Sequence, residues 1–361
     1  MHSNFIQLMK NFLFLSFFSV FLFSCSNSDS ISGTNNPIGV LKVQTYSVGN
    51  INFTNAKCVG IVTLGESAIQ STGICWSTSP NPTISGLHTT ETLSSGSTSF
   101  ISTLSPLTAN TTYYIRAYAI DNSGTVYGAQ LSFKTLNILF TSGGGVSDFD
   151  GATYGSVVLN GKEWMKKNLD VSKYKNGDAI PQVTDVTQWE ALTTGAWCYY
   201  ENDTANGPIY GKLYNWYAIT DPRGLAPAGW RIPTDTEWSD LATFLGGDAV
   251  AGIKLKEDSS TPTWDVTTNY ATNQSGFTAV PAGTGYLNYH LPAPVVPAAP
   301  APTLADLFKG KTKVTYWWSA TTTGSTAADL VWSRNVNSSS DQLVRSGVIK
   351  SSALSVRCIK I

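Results

Sequence analysis

Four carboxylates stand in pairs of the kind hydrolytic chemistry uses. Glu201 and Asp203 flank Asn202, and Asp235 and Glu237 flank Thr236. Two carboxyl groups either side of a scissile bond are the requirement of acid–base glycoside hydrolysis. Both pairs have a simpler account. Asp235 and Glu237 open an amphipathic stretch, where a helix start favours negative charge, and Glu201-Asn202-Asp203 reads as a turn. No catalytic residue is assigned and no cofactor is implied; the three histidines, at 2, 88 and 290, are too scattered for a His-based metal site. Residues 331–350 are rich in Ser, Asn, Arg and Trp, the mix that adaptable paratopes use, though a merely solvated polar edge has the same composition. As a strand the tract alternates, with Trp332, Arg334 and Val336 on one side and Ser333, Asn335 and Asn337 on the other. Its candidate ligand-binding residues are Trp332, Arg334, Asn335, Asn337, Asp341, Gln342 and Arg345.

These groups need elements to position them. Thr234 and Glu237 have the spacing of a capping box, in which the two side chains close reciprocally on free N–H groups. Trp238, Leu241, Ala242 and Leu245 then recur at helical spacing and Gly246-Gly247 ends the run, so a short helix is predicted. Val157-Val158-Leu159, Asn160-Gly161 and Glu163-Trp164-Met165 predict a two-residue hairpin. Upstream, short alternating strands are predicted at 40–48, 56–64, 71–78, 98–104, 112–120 and 125–134, the spacing of an all-β sandwich. The expected architecture is a β-sandwich over 40–137, a linker over 138–155 containing Thr141-Ser142-Gly143-Gly144-Gly145, and an α+β domain over 156–361. The Pro-rich stretch 291–303 is expected to be extended or polyproline-like.

A chain of 361 residues is long enough for two such cores. With 13% charged residues and a net charge of −1 it carries no electrostatic footprint for nucleic acid. Residues 1–24 read as a signal peptide, with Lys10 before an apolar run from Phe12 to Phe23 that is too short to span a bilayer. Leu22-Phe23-Ser24-Cys25 resembles the lipobox of bacterial lipoproteins. That resemblance implies cleavage before Cys25, lipidation of its sulfur, and a protein lipid-anchored at the outer membrane or cell surface. Residues 25–39 are polar enough for a flexible tether.

Leu107-Thr108-Ala109-Asn110-Thr111-Thr112-Tyr113, with Gly73-Ile74-Cys75-Trp76-Ser77 upstream, resembles a fibronectin type III domain, in which Tyr113 would bond back to the preceding loop. The resemblance implies a spacer. Cys58 and Cys75 there are either small core hydrophobes or a disulfide. Gly229-Trp230-Arg231-Ile232-Pro233-Thr234, Tyr210-Gly211-Lys212-Leu213-Tyr214-Asn215-Trp216, Trp317-Trp318-Ser319-Ala320-Thr321 and Ser355-Val356-Arg357-Cys358 resemble the Fibrobacter succinogenes major paralogous (FISUMP) domain, of C-type-lectin-like fold. That resemblance implies that Cys198 and Cys358 are brought together as a candidate disulfide, and that the last strands present the recognition surface. The helix start is also similar to that of formylglycine-generating enzymes, but Cys358 has no second cysteine near it for their chemistry. The Glu-Pro-Asn or Gln-Pro-Asp triplet of calcium-dependent lectins is absent. The expectation is a non-enzymatic adhesin or receptor for a glycan or protein ligand, anchored in the membrane by its N-terminal lipid. The alternative is a structural subunit of a surface assembly or fimbrial tip, and an oxidase or hydrolase comes third.

Overall fold

The computed structural model describes residues 40–63, 68–94, 97–258, 263–265, 271–286, 302–324 and 330–361. The expected signal segment 1–24, Cys25, the tether 25–39 and residues 291–301 of the Pro-rich stretch lie outside the described residues.

The first half forms β1 (Lys42–Gly49), β2 (Ala56–Thr63), β3 (Ser71–Ser77), β4 (Leu87–His88), β5 (Ser99–Leu104), β6 (Thr112–Asp121), β7 (Gly124–Tyr127) and β8 (Leu131–Lys134). Period-2 patterning is clear in several of them, whereas β3 is buried on both faces. In β2, Ala56, Cys58, Gly60 and Val62 are buried while Lys57 and Thr63 face solvent; in β5, Phe100, Ser102 and Leu104 are buried between exposed neighbours. One sheet runs β1–β2–β5 and another β4–β3–β6–β7, with β8 also paired to β6. Val62, Ile74, Trp76, Leu104, Ile115 and Phe133 belong to their common core. The Tyr113 hydroxyl accepts a bond from the Thr108 N–H at 2.9 Å, as expected of that corner. The strand expected at 125–134 is two, because the chain steps aside at Gly128. There the backbone packs so close to β1 that a Cβ would lie 2.6 Å from the Thr45 nitrogen. Cys58 and Cys75 sit on strands of different sheets and are free, buried thiols; burial pushes the Cys58 thiol up to about 12.

In the second half, β9 (Thr141–Ser142), β10 (Val146–Ser147) and β11 (Thr153–Tyr154) precede the hairpin of β12 (Ser156–Leu159) and β13 (Lys162–Met165). Leu159 pairs with Lys162, and Asn160 and Gly161 both take positive φ, 49° and 75°. A type I′ turn requires that, and it matches the twist of the strands it joins. Then come α1 (Val186–Glu190), β14 (Trp197–Cys198), α2 (Gly207–Tyr210), β15 (Leu213–Tyr214), α3 (Trp216–Ile219), β16 (Trp230–Arg231), α4 (Asp235–Phe244) and α5 (Asp248–Leu255). The chain continues through β17 (Ala282–Gly285), α6 (Leu304–Leu307), β18 (Phe308–Lys311), β19 (Val314–Thr322), β20 (Leu330–Asn337), β21 (Val344–Ile349) and β22 (Ile359–Lys360). Among the described residues, one sheet runs β16–β22–β13–β12–β9 and another β18–β17–β19–β20–β21.

Helix α4 joins these two sheets. Its Trp238 lies 5.0 Å from Trp164 of β13 and 5.6 Å from Trp317 of β19, ring centre to ring centre, with Phe277 closing the group. The helix begins where the sequence places it. Thr234 Oγ1 accepts the Glu237 N–H and the Glu237 carboxylate accepts the Thr234 N–H, and Gly246 and Gly247 end it at positive φ.

The linker expected over 138–155 is instead partly built into the second half. Thr141 and Ser142 pair with Val158 and Val157 as the edge strand β9. The Gly144 N–H donates to Glu163 and the Gly145 N–H to Ser156. Just before them, the Leu139 N–H donates to the Gln274 carbonyl, and the Gln274 amide donates to the Asn137 carbonyl. The Phe140 ring covers Gly276, where a Cβ would fall 2.8 Å from the ring. The physical reason is β12, which would otherwise show unpaired N–H and C=O groups along its edge.

Candidate binding site

In the pairing of the last strands Trp317 lies opposite Arg334, Arg334 opposite Arg345, and Trp332 opposite Gly347. Directly opposed residues share a face, so Trp317, Arg334 and Arg345 all project toward α4. Trp332, two residues before Arg334, is on the same face. Its cross-strand partner Gly347 has no side chain, and the Arg345 guanidinium lies over the Trp332 ring, 3.5 Å from its centre.

Asp235, the first residue of α4, holds both arginines. Its Oδ1 accepts from Arg334 Nη2 at 2.9 Å and from Arg345 Nε at 3.1 Å, and its Oδ2 lies 2.7 Å from Arg345 Nη2. Arg334 also donates to Ser239 Oγ at 2.8 Å, and its Nη1 comes within 3.6 Å of Asp248. The Asp235 N–H donates to Thr321 Oγ1. One carboxylate therefore bonds two guanidiniums across sequence distances of 99 and 110 residues.

This overturns part of the expected ligand set. The Arg334 side chain is 1% exposed, and Asn335 is buried with its amide on Ser346 Oγ. Neither reaches solvent, because α4 covers one face of β20 and the core covers the other. Trp332 is half-buried, and the Arg345 side chain is 43% exposed. Asn337, Asp341 and Gln342 lie at or in the turn joining β20 to β21, where Gln342 is exposed and the other two are half-buried. The turn rests on α5 and the residue that follows it. Buried Lys256 donates to the Asn337 and Ser340 carbonyls at 3.1 and 2.9 Å, and the Ile253 N–H donates to the Asp341 carbonyl. Gly252 allows the contact, since a Cβ there would fall 2.2 Å from the Gln342 oxygen. Burial lowers the Lys256 ammonium to about 8, with Asp341 opposing the shift.

The carboxylate pairs are occupied by other partners. Glu237 receives the Arg231 fork at 2.6 and 2.5 Å and Lys162 at 3.2 Å, besides closing the cap. Glu201 is exposed at positive φ, and Asp203 caps a turn through the Ala205 N–H. Burial alone would raise the Glu237 carboxyl; the Arg231 fork, the Thr234 N–H and Lys162 outweigh it and hold the group at about 2. A carboxyl depressed from its ordinary 4.5 stabilises the fold above that value and loses its contribution as pH falls toward 2. Glu237→Gln is therefore expected to remove at most about 3 kcal/mol of stability at pH 7. It should also flatten the acid limb between about pH 4.5 and 2, read from urea midpoints across that range.

The expected Cys198–Cys358 bridge is not formed. Both are free, buried thiols in separate apolar clusters. Cys198 packs with Trp189, Leu213 and Tyr286, and Cys358 with Met165, Tyr214 and Trp318. Burial raises both thiols far above the ordinary range, so each behaves as a small hydrophobe. The residue before Cys358 carries more. Arg357 is fully buried, with Nε on Asn168 Oδ1 (2.7 Å) and Nη1 on the Met165 and Phe277 carbonyls (2.8 Å each). Nη2 is on the Thr278 carbonyl (3.0 Å). All four acceptors are neutral, and burial pulls the guanidinium down to about 9.

Asp235, Lys256 and Arg357 were absent from the candidate set read from sequence. Asp235 already had a full explanation as a helix-start charge, and nothing local marks as buried a lysine just after an apolar helix or an arginine just before the last strand. None of residues 331–350 lines the cavities of about 180, 350 and 530 Å³ found elsewhere in this half.

Residues 157–360 match the Fibrobacter succinogenes major domain. No curated protein matches the chain. Among solved structures it is similar to the sensor domain of the anti-sigma factor RsgI4 of Pseudobacteroides cellulosolvens, at 20% identity over 27% of this chain and 96% of that one, with a TM-score of 0.22.

Proposed function

Because the chain belongs to the Fibrobacter succinogenes major domain family, we propose that it is a lipid-anchored binding protein of the outer membrane or cell surface. In this reading Cys25 carries the lipid and residues 25–39 the tether. Residues 40–137 are a fibronectin type III-like spacer. The C-terminal half is a C-type-lectin-like module whose β20–β21 face meets a glycan or protein ligand outside the cell.

The observation that carries the reading is Trp332. Of eleven tryptophans, ten are buried; Trp332 alone reaches the surface, and it lies under the guanidinium of a half-exposed arginine. Hot spots of binding surfaces are enriched in Trp and Arg set in rigid surroundings. Here the supports are a β-hairpin, the α4 start and the Lys256-pinned turn. The test is a glycan and protein array probed with the exported chain in detergent. Trp332→Ala should melt with the parent chain yet bind at least about 30-fold more weakly, the equivalent of 2 kcal/mol or more. Undiminished binding by the folded variant would reject this face.

A further inference from the structure

Arg345 is left with unused donors. A guanidinium carries five N–H bonds. Arg345 turns its Nε and Nη2 edge to Asp235. The other edge, made of Nη1 and the second N–H of Nη2, has no acceptor among the described residues, and the side chain is 43% exposed. The group is also fixed in place. The Trp332 ring lies beneath it, its centre 3.5 Å from the guanidinium carbon, and the Asp235 carboxylate that orients it is itself held by buried Arg334. A planar fork held in one orientation is built for the two oxygens of a carboxylate. The charges in contact agree. Two guanidiniums face one carboxylate, and Asp248 reaches only Arg334, at 3.6 Å.

We infer that the outer edge of Arg345, held over the Trp332 ring, receives the carboxylate of an acidic glycan, an assignment that rests on the β20–β21 face being the binding surface. The neighbouring residues favour a saccharide over an acidic peptide. From Asn337 to Val344 the hairpin turn holds no lysine or arginine and one half-buried carboxylate, Asp341, but offers Asn337, Ser338, Ser339 and Gln342. A run of carboxylates would find one cation and then only amides and hydroxyls. A sugar with one acid group and several hydroxyls finds partners for both.

The full chain in detergent is applied to an array of glycans ending in uronic or sialic acids, the methyl esters of the same glycans, and polyglutamate. The acids should bind at least tenfold more tightly than their esters, with the preference shrinking as salt is raised. Arg345→Lys keeps the charge but not the fork, and should lose that preference. If acids and esters bind equally while Trp332→Ala still abolishes binding, the carboxylate assignment falls and the binding face stands. If nothing on the array binds in a Trp332-dependent way, both fall. Polyglutamate bound as tightly as the glycans, or an Arg345→Lys chain with its preference intact, would also overturn the assignment. Should Arg345→Lys melt early, the acid-to-ester comparison on the unsubstituted chain decides alone.

Discussion

Replacing Arg357 with alanine is expected to lower the melting temperature by roughly 10 °C, the equivalent of about 4 kcal/mol for a domain of this size. The guanidinium ties four acceptors from two segments far apart in sequence: Met165 with Asn168, and the Phe277–Thr278 pair. Its removal leaves buried carbonyls without a donor, at about 1–3 kcal/mol each before water or relaxation compensates. The Asn168 oxygen keeps a second donor in Trp317 Nε1 at 2.9 Å, so that site suffers least. Arg357→Met separates the causes. It restores apolar volume but no donor, so it should destabilise nearly as much as alanine. Calorimetry on the two variants checks this, and a methionine variant melting within about 2 °C of the parent would show that volume, not hydrogen bonding, is what Arg357 supplies.

Asp235→Ala is expected to cost about 3–5 kcal/mol, because it leaves the buried Arg334 guanidinium with only the longer, 3.6 Å approach of exposed Asp248. The loss should be recovered in large part by a second substitution, Arg334→Met, which removes the stranded cation. Buried ion pairs behave this way: breaking one side is severe, while replacing both by apolar groups is mild. A double-mutant cycle from urea midpoints measures the coupling. Additive single effects would mean that Asp235 acts mainly as a helix-start charge, which contributes only about 0.3–1 kcal/mol. Arg345→Ala, by contrast, removes a half-exposed group and should barely move the midpoint.

What could be read in advance was what is local. The capping box needs only residues three apart. The Asn160-Gly161 turn needs two residues with positive φ, and Tyr113 reaches back five residues to Thr108. Most strand positions in the first half followed from alternation and turn residues, but the two-residue β4 (Leu87–His88) was not anticipated, and one expected strand is broken where Gly128 yields to a close approach by another strand. The site was legible only as a tract. Alternation placed Trp332 and Arg334 on one face, but it could not say that α4 covers Arg334 and leaves Trp332 at the surface. The Asp235 hub depends on contacts about a hundred residues apart, which no local pattern records. The cysteines misled because pairing depends on which apolar cluster receives each thiol, and the chain sends Cys198 and Cys358 to different ones. The linker was misjudged because glycines were taken as freedom, whereas these have their N–H groups engaged.

The glycines carry a mechanical consequence. A hinge works only between the bodies it joins, and Gly143-Gly144-Gly145 comes after β9 has paired with β12. The slack of that run therefore lies beyond the clamp and cannot let the two halves swing. A pull transmitted from upstream meets Gln274 first, through Asn137 and Leu139, and then the short ladder of β9. It passes directly into the sheet that also contains β22 and the chain end. Tension would thus be borne by backbone hydrogen bonds near the tryptophan-lined centre of the second half rather than taken up by the glycine run.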